Sequence, residues 1–217
     1  EAASYERNAS PQTGWRSTRI WCPMCGRQRL LLKQPDPPGA IAFRCPGCID
    51  GSDDIGWEYQ LSNAHFAQQV AGLTQPKTIL RRISLWAYDY YFAAALQDGV
   101  VACAQCGRQR RLSVLSPTHV SELAPSHAGG YGLSGQCLSC GWQDFCSPAG
   151  LLQSLPVVQR FWQAHPRMRL VFRAPIEEVA GQRAFVASFE SMTDATHIDV
   201  VFGRETFAPI HVHHTDR

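Results

Sequence analysis

Eight of the chain's nine cysteines fall into four Cys-x-x-Cys pairs: Cys22/Cys25, Cys45/Cys48, Cys103/Cys106 and Cys137/Cys140. Two cysteines so spaced on a tight turn can aim both sulfurs at one centre. Two such turns complete a tetrahedron of thiolates, the donor set of structural zinc. Pro23, Gly26, Pro46, Gly47 and Gly107 are the turn-formers these knuckles need. In the first set 19 residues separate the pairs, inside the usual range for a four-cysteine site. In the second set 30 residues intervene, outside that range. The chemistry expected is the binding of two zinc ions, one by each set of four. Such pairs have metal spacing rather than disulfide spacing, so a reducing cytoplasm is the expected location.

Other residues suggest weaker chemistry. Arg27 and Arg29 follow the first knuckle, and Arg108 and Arg110 follow the third, in the shared string Gly-Arg-Gln-Arg. Alternate residues of a strand share a face, so each arginine pair is expected on one face. Two roles stay open for these four: nucleic-acid-binding contacts to phosphate, or balance for the negative charge of a four-thiolate centre. His211 and His213, with His197 and His214 nearby, read as a solvent-facing strip rather than a third metal site. Glu177 and Glu178 are adjacent and so do not share a face. Gly132-Leu-Ser134-Gly135 lacks the spacing of a nucleophile elbow, and no phosphate-loop lysine follows the glycines. No nucleophile, base and oxyanion donors assemble. The chain is therefore not expected to be an enzyme, and no small-molecule substrate is inferred.

The elements that position the cysteines repeat. Cys22-Pro-Met-Cys25-Gly-Arg-Gln-Arg29 matches Cys103-Ala-Gln-Cys106-Gly-Arg-Gln-Arg110, and Gly56-Trp57 matches Gly141-Trp142. The offset drifts from 81 to 92 to 85 residues, so insertions within the loops separate the copies. Each copy reads as a strand into the first knuckle, a strand out, a return strand into the second knuckle, and a final strand ending at Ser62 or Ser147. Either serine is a suitable N-cap for the next segment, 63–71 or 148–154. Aligning Trp57 with Trp142 puts the ninth cysteine, Cys146, on Leu61, so it is expected in the core and not at a metal.

Between the copies, apolar residues at Leu80, Ile83, Ala87, Tyr90/Tyr91 and Ala94 predict a helix over about 76–97, capped by Thr74 and stopped at Asp98-Gly99. After Leu151 a short helix over 157–165 ends before Pro166, and strand-like runs follow at 168–174, 183–191, 197–202 and 206–213. The fold class expected is α+β, with two ribbon units of short antiparallel strands joined by a helix, then a small antiparallel sheet with a helix. The divisions expected are 1–74, 75–98, 99–150 and 151–217. The last has no cysteine and is expected to keep its fold without metal. No apolar run approaches the roughly 18 residues that span a membrane. Residue 1 is Glu, so a processed or trimmed start is expected.

Residues 18–62 and 99–147 resemble the zinc-ribbon family, with the Cys-Pro-x-Cys-Gly knuckle seen in transcription factors and RNA polymerase subunits. The second copy departs from it: Cys103-Ala-Gln-Cys106 lacks the proline, and Cys137-Leu-Ser-Cys140 looks irregular. Rubredoxin-type sites use similar knuckles for iron and electron transfer. A duplicated module with long inserted loops suits a scaffold better. Net charge is only +2, so charge alone does not announce a nucleic-acid binder, but Arg16 to Lys33 carries five basic residues and no acid. The resemblance and the arginines together imply a nucleic-acid-binding protein of transcription. The other reading is a protein-interaction scaffold, supported by the balanced segment from Leu151, where seven arginines face seven acids.

Overall fold

The computed structural model describes residues 14–33, 41–49, 58–61, 70–92, 99–115, 132–179, 181–203 and 209–215. The first unit is an antiparallel meander of β1 (Trp15–Trp21), β2 (Arg29–Lys33), β3 (Ile41–Arg44) and β4 (Glu58–Leu61). Strand β2 alternates as a half-buried strand must, with Leu30 and Leu32 inside and Arg29 and Lys33 outside. A single helical turn, α1 (Pro46–Ile49), follows β3.

Helix α2 (Pro76–Ala87) joins the units and buries Ile79, Leu80, Ile83 and Ala87 at the three-four spacing of one face. Its cap position is Gln75, not the expected Thr74, and no side chain caps it. Proline explains the shift: at the first helical position Pro76 has the right φ and one donor fewer to satisfy. The helix runs on as a π-helical turn, Tyr88–Phe92, burying Tyr91 and Phe92. The expected continuation to 97 and the segment 63–69 lie outside the described residues.

Among the described residues the second unit falls into two sheets. Strands β5 (Val100–Ala102) and β6 (Gln109–Arg111) pair together, while β7 (Ser113–Leu115), β8 (Gly132–Gln136) and β9 (Gln143–Cys146) form a second sheet. The break falls at Leu112, whose N–H turns to the carbonyl of Gly99 at 2.7 Å. Ser147 caps α3 (Pro148–Ser154) as expected, its hydroxyl accepting from the Gly150 N–H at 3.2 Å. Helix α4 (Pro156–Ala164) stops before Pro166.

The last sheet is a meander of β10 (Met168–Val179), β11 (Gln182–Ser191), β12 (His197–Gly203) and β13 (Pro209–Thr215). Strand β10 is longer than its sequence suggests. Pro175 cannot donate to a ladder, yet β10 is an edge strand and its register shifts between Arg173 and Glu177, where a proline is tolerated. Helices and antiparallel sheets together make the α+β class. One buried cluster runs from Leu30 and Phe43 through Ile79 and Ile83, on through Leu151 and Leu152, to Phe189 and Phe202. Each such side chain contributes roughly 1.5–3 kcal/mol by leaving water.

Candidate metal centres and a basic face

In each unit four sulfurs converge, all within 4.8 Å of one another: Cys22, Cys25, Cys45 and Cys48, and Cys103, Cys106, Cys137 and Cys140. The pairs Cys22–Cys48 and Cys25–Cys45 stand 3.7 Å apart, Cys103–Cys140 3.7 Å and Cys106–Cys137 3.6 Å. Four sulfurs at about 2.3 Å from a central ion would be about 3.8 Å apart, so these spacings fit a tetrahedral metal. They are far too long for disulfides. Each group can hold one metal ion, consistent with tandem zinc-ribbon-like modules. Cys146 is buried, pairs with Leu133 as Leu61 pairs with Ile41, and belongs to neither group. His211 and His213 are exposed, their rings 4.0 Å apart, and among the described residues they join no group of three ligands.

As free thiols these sulfurs compete for protons. Hydrogen bonds with Cys25, Cys45 and Cys48, with burial behind them, push Cys22 far up. Hydrogen bonds with Cys22, Cys45 and Cys48 draw Cys25 far down. Burial pushes Cys137 up, but the N–H groups of Ser139 and Cys140 and the thiols of Cys106 and Cys140 outweigh it and bring it to about 6. A cation at the centre resolves the conflict, because it favours all four thiolates at once.

Three of the four knuckles share one turn. Gly26, Gly107 and Gly141 donate to the carbonyls of Cys22, Cys103 and Cys137 at 2.8, 2.8 and 2.7 Å, each with φ between 62° and 75°. The residue after the second cysteine is left-handed there, which glycine adopts without steric cost. Cys48 is followed by Ile49, and Pro46–Ile49 winds into α1 instead. This corrects the sequence reading: Cys137-Leu-Ser-Cys140 is the regular knuckle and Cys45-Pro-Gly-Cys48 the exception.

The matched arginines do not occupy matched places. The N–H of Cys22 bonds the carbonyl of Gln28, six residues on, whereas the N–H of Cys103 bonds that of Arg108, five residues on. Accordingly Trp21 pairs with Arg29 but Ala102 with Gln109. One residue of slip turns every side chain to the other face. Arg27, Arg29 and Arg108 are exposed, while Arg110 is buried. Its Nε and Nη2 donate to the Tyr90 hydroxyl at 3.2 and 2.6 Å, and Nη1 donates to the Gly135 carbonyl at 2.6 Å. Arg110 thus ties the second unit to the π-helical turn and does not share an outward face with Arg108. Arg29 is itself engaged, donating to the Arg19 carbonyl with its guanidinium 3.6 Å from the Trp21 ring centre.

A basic cleft lies elsewhere. Residues 14–33, 70–88 and 147–176 carry twelve of the chain's 20 basic residues and none of its 18 acids. These segments meet around a cleft of about 390 Å³ between β1, α2 and α4. Arg19, Lys77 and Arg81 line it, with Trp21 and Trp162. Sequence reading had singled out only the first stretch; the signal for the others was the same absence of acids, dispersed along the chain. Compared with protein-family models, curated proteins and solved structures, the chain matches none.

Proposed function

We propose that this is a zinc-stabilised, non-enzymatic nucleic-acid-binding protein of the transcription machinery, acting in a reducing cytoplasm. Zinc suits the two centres because the four donors gathered in each group are all cysteine sulfurs. Zinc here would hold the fold together and take no part in any reaction. The observation that carries the nucleic-acid reading is the cleft lined by Arg19, Lys77 and Arg81, set in stretches 14–33, 70–88 and 147–176 whose sequence contains no acid. Arg169 is paired with Glu190 of β11, but Arg19, Lys77 and Arg81 are in no ion pair among the described residues, and phosphates are their natural counter-ions.

The test is binding of labelled single-stranded and duplex oligonucleotides by the metal-loaded chain at about 50 mM salt, repeated as salt is raised. Affinity should fall steeply with salt, and Arg19→Ala with Arg27→Ala should lower it and shallow the slope. Absence of binding by the unaltered protein overturns this reading. It would leave the second one, a protein-interaction scaffold with structural zinc, which the internal engagement of Arg29 and Arg110 favours.

A further inference from the structure

Resting on the nucleic-acid reading, we infer that the cleft between β1, α2 and α4 holds one unpaired nucleotide of a single strand, its base stacked on Trp162. Ile20 and Leu80, both buried, form the apolar floor. Trp21 and Trp162, both half-buried, stand at the walls. Arg19, Lys77 and Arg81 are exposed at the rim, and among the described residues no acid lines the cleft.

The two indoles are not equivalent. Trp21 is already clad in cations: the Arg29 guanidinium lies 3.6 Å and that of Arg167 4.7 Å from its ring centre. Trp21 therefore adds to the positive wall rather than offering a face. Trp162 has no ring or cation partner among the described residues. A half-exposed indole beside three cations is the pairing that binds single strands, since every base has a π-face and every linkage a phosphate. Gln163 adds a carboxamide, which matches the mixed donor and acceptor edges of a base, and Gln159 adds an acceptor oxygen. The Gln159 amide nitrogen is held by the Gln153 carbonyl at 2.5 Å and the Ser84 hydroxyl at 3.3 Å, so that side chain is fixed in advance. The volume of about 390 Å³ is at the small end of ligand pockets, enough for one nucleotide and too small for a paired helix.

The experiment uses the metal-loaded full chain with a labelled single-stranded oligonucleotide, a duplex of the same length, a mononucleotide and a phosphorylated peptide, each at about 50 mM salt. Trp162→Ala should weaken single-strand binding about ten-fold or more and leave duplex binding unchanged, as expected for one lost stack. Trp162→Phe should restore most of the affinity, which guards against misfolding of the alanine variant. Lys77→Gln with Arg81→Gln should weaken both nucleic acids and reduce the salt slope by about two. If single strands and duplexes bind but Trp162→Ala shifts neither, the cleft assignment fails and the nucleic-acid reading stands. If neither nucleic acid binds, that wider reading fails as well. Trp162-dependent retention of the mononucleotide alone, or of the phosphopeptide alone, also overturns the assignment.

Discussion

The two four-cysteine units share a motif but not an environment. In the first, Cys22 and Cys45 are fully covered and Cys48 nearly so; in the second, Cys106 and Cys140 are exposed. Gly26 packs against the last sheet: a Cβ there would meet the Met168 carbonyl oxygen and the Met192 side chain, both at 2.7 Å. The equivalent Gly107 would meet nothing within 4 Å. The first knuckle also accepts from the sheet, with the Leu170 N–H on the Met24 carbonyl at 3.0 Å. The same ligand set thus acts as an internal pillar in one copy and as an outlying staple in the other. A duplicated metal site need not duplicate its share of stability.

The largest expected effect comes from removing one ligand at each site. Cys45→Ser should release one metal and unfold the chain, including residues beyond Leu151. The binding energy of such a site, about 10–16 kcal/mol, is comparable with the whole stability of a domain. The same measurement tests the expectation that the last segment holds its fold without metal, against which stands the bond from its first strand to a knuckle. Cys140→Ser should also release one metal but melt only the second unit. Elemental analysis with hydrogen exchange on β10 to β13 separates the two. Equal protection of those strands in both variants would break the comparison.

The knuckle glycines sharpen it. Both Gly26→Ala and Gly107→Ala force a side chain into left-handed backbone, a cost of about 1 kcal/mol. Gly26→Ala adds a backbone clash worth roughly 1–3 kcal/mol more. Denaturant melts of the two variants should differ by that amount, and identical midpoints would show that the packing against Met168 is not a constraint.

The arginines test the slip in register. Arg110→Ala should cost about 1–3 kcal/mol, because it removes a buried fork to Tyr90 and Gly135. Arg29→Ala, at an exposed position, should cost well under 1 kcal/mol. Equal losses in the two melts would mean that the arginines are equivalent after all. The smallest effect belongs to the ninth cysteine. Cys146→Ala should keep two metals per chain and cost on the order of 1 kcal/mol in packing. Loss of a metal from that variant would show it to be a ligand.

The eight cysteines were legible in the chain because the knuckle is local: sulfurs three positions apart on a tight turn must converge. Helix and strand periods were legible for a similar reason, with Ile83 and Ala87 of α2 and the alternation of β2 buried as their spacing requires. Even the true exception among the knuckles was written there, in Ile49 where the other three have glycine. The sequence by itself therefore determined which residues can gather a metal and in what elements. Which arginine faces outward was decided only by the tertiary structure, because one extra residue between Gly26 and the strand pair reverses the face and no local pattern records it. Burial of the first centre and the meeting of Arg19, Lys77 and Trp162 at one cleft depend on segments distant along the chain. Only packing of the common core brings such segments together, so no single stretch of sequence could carry either result.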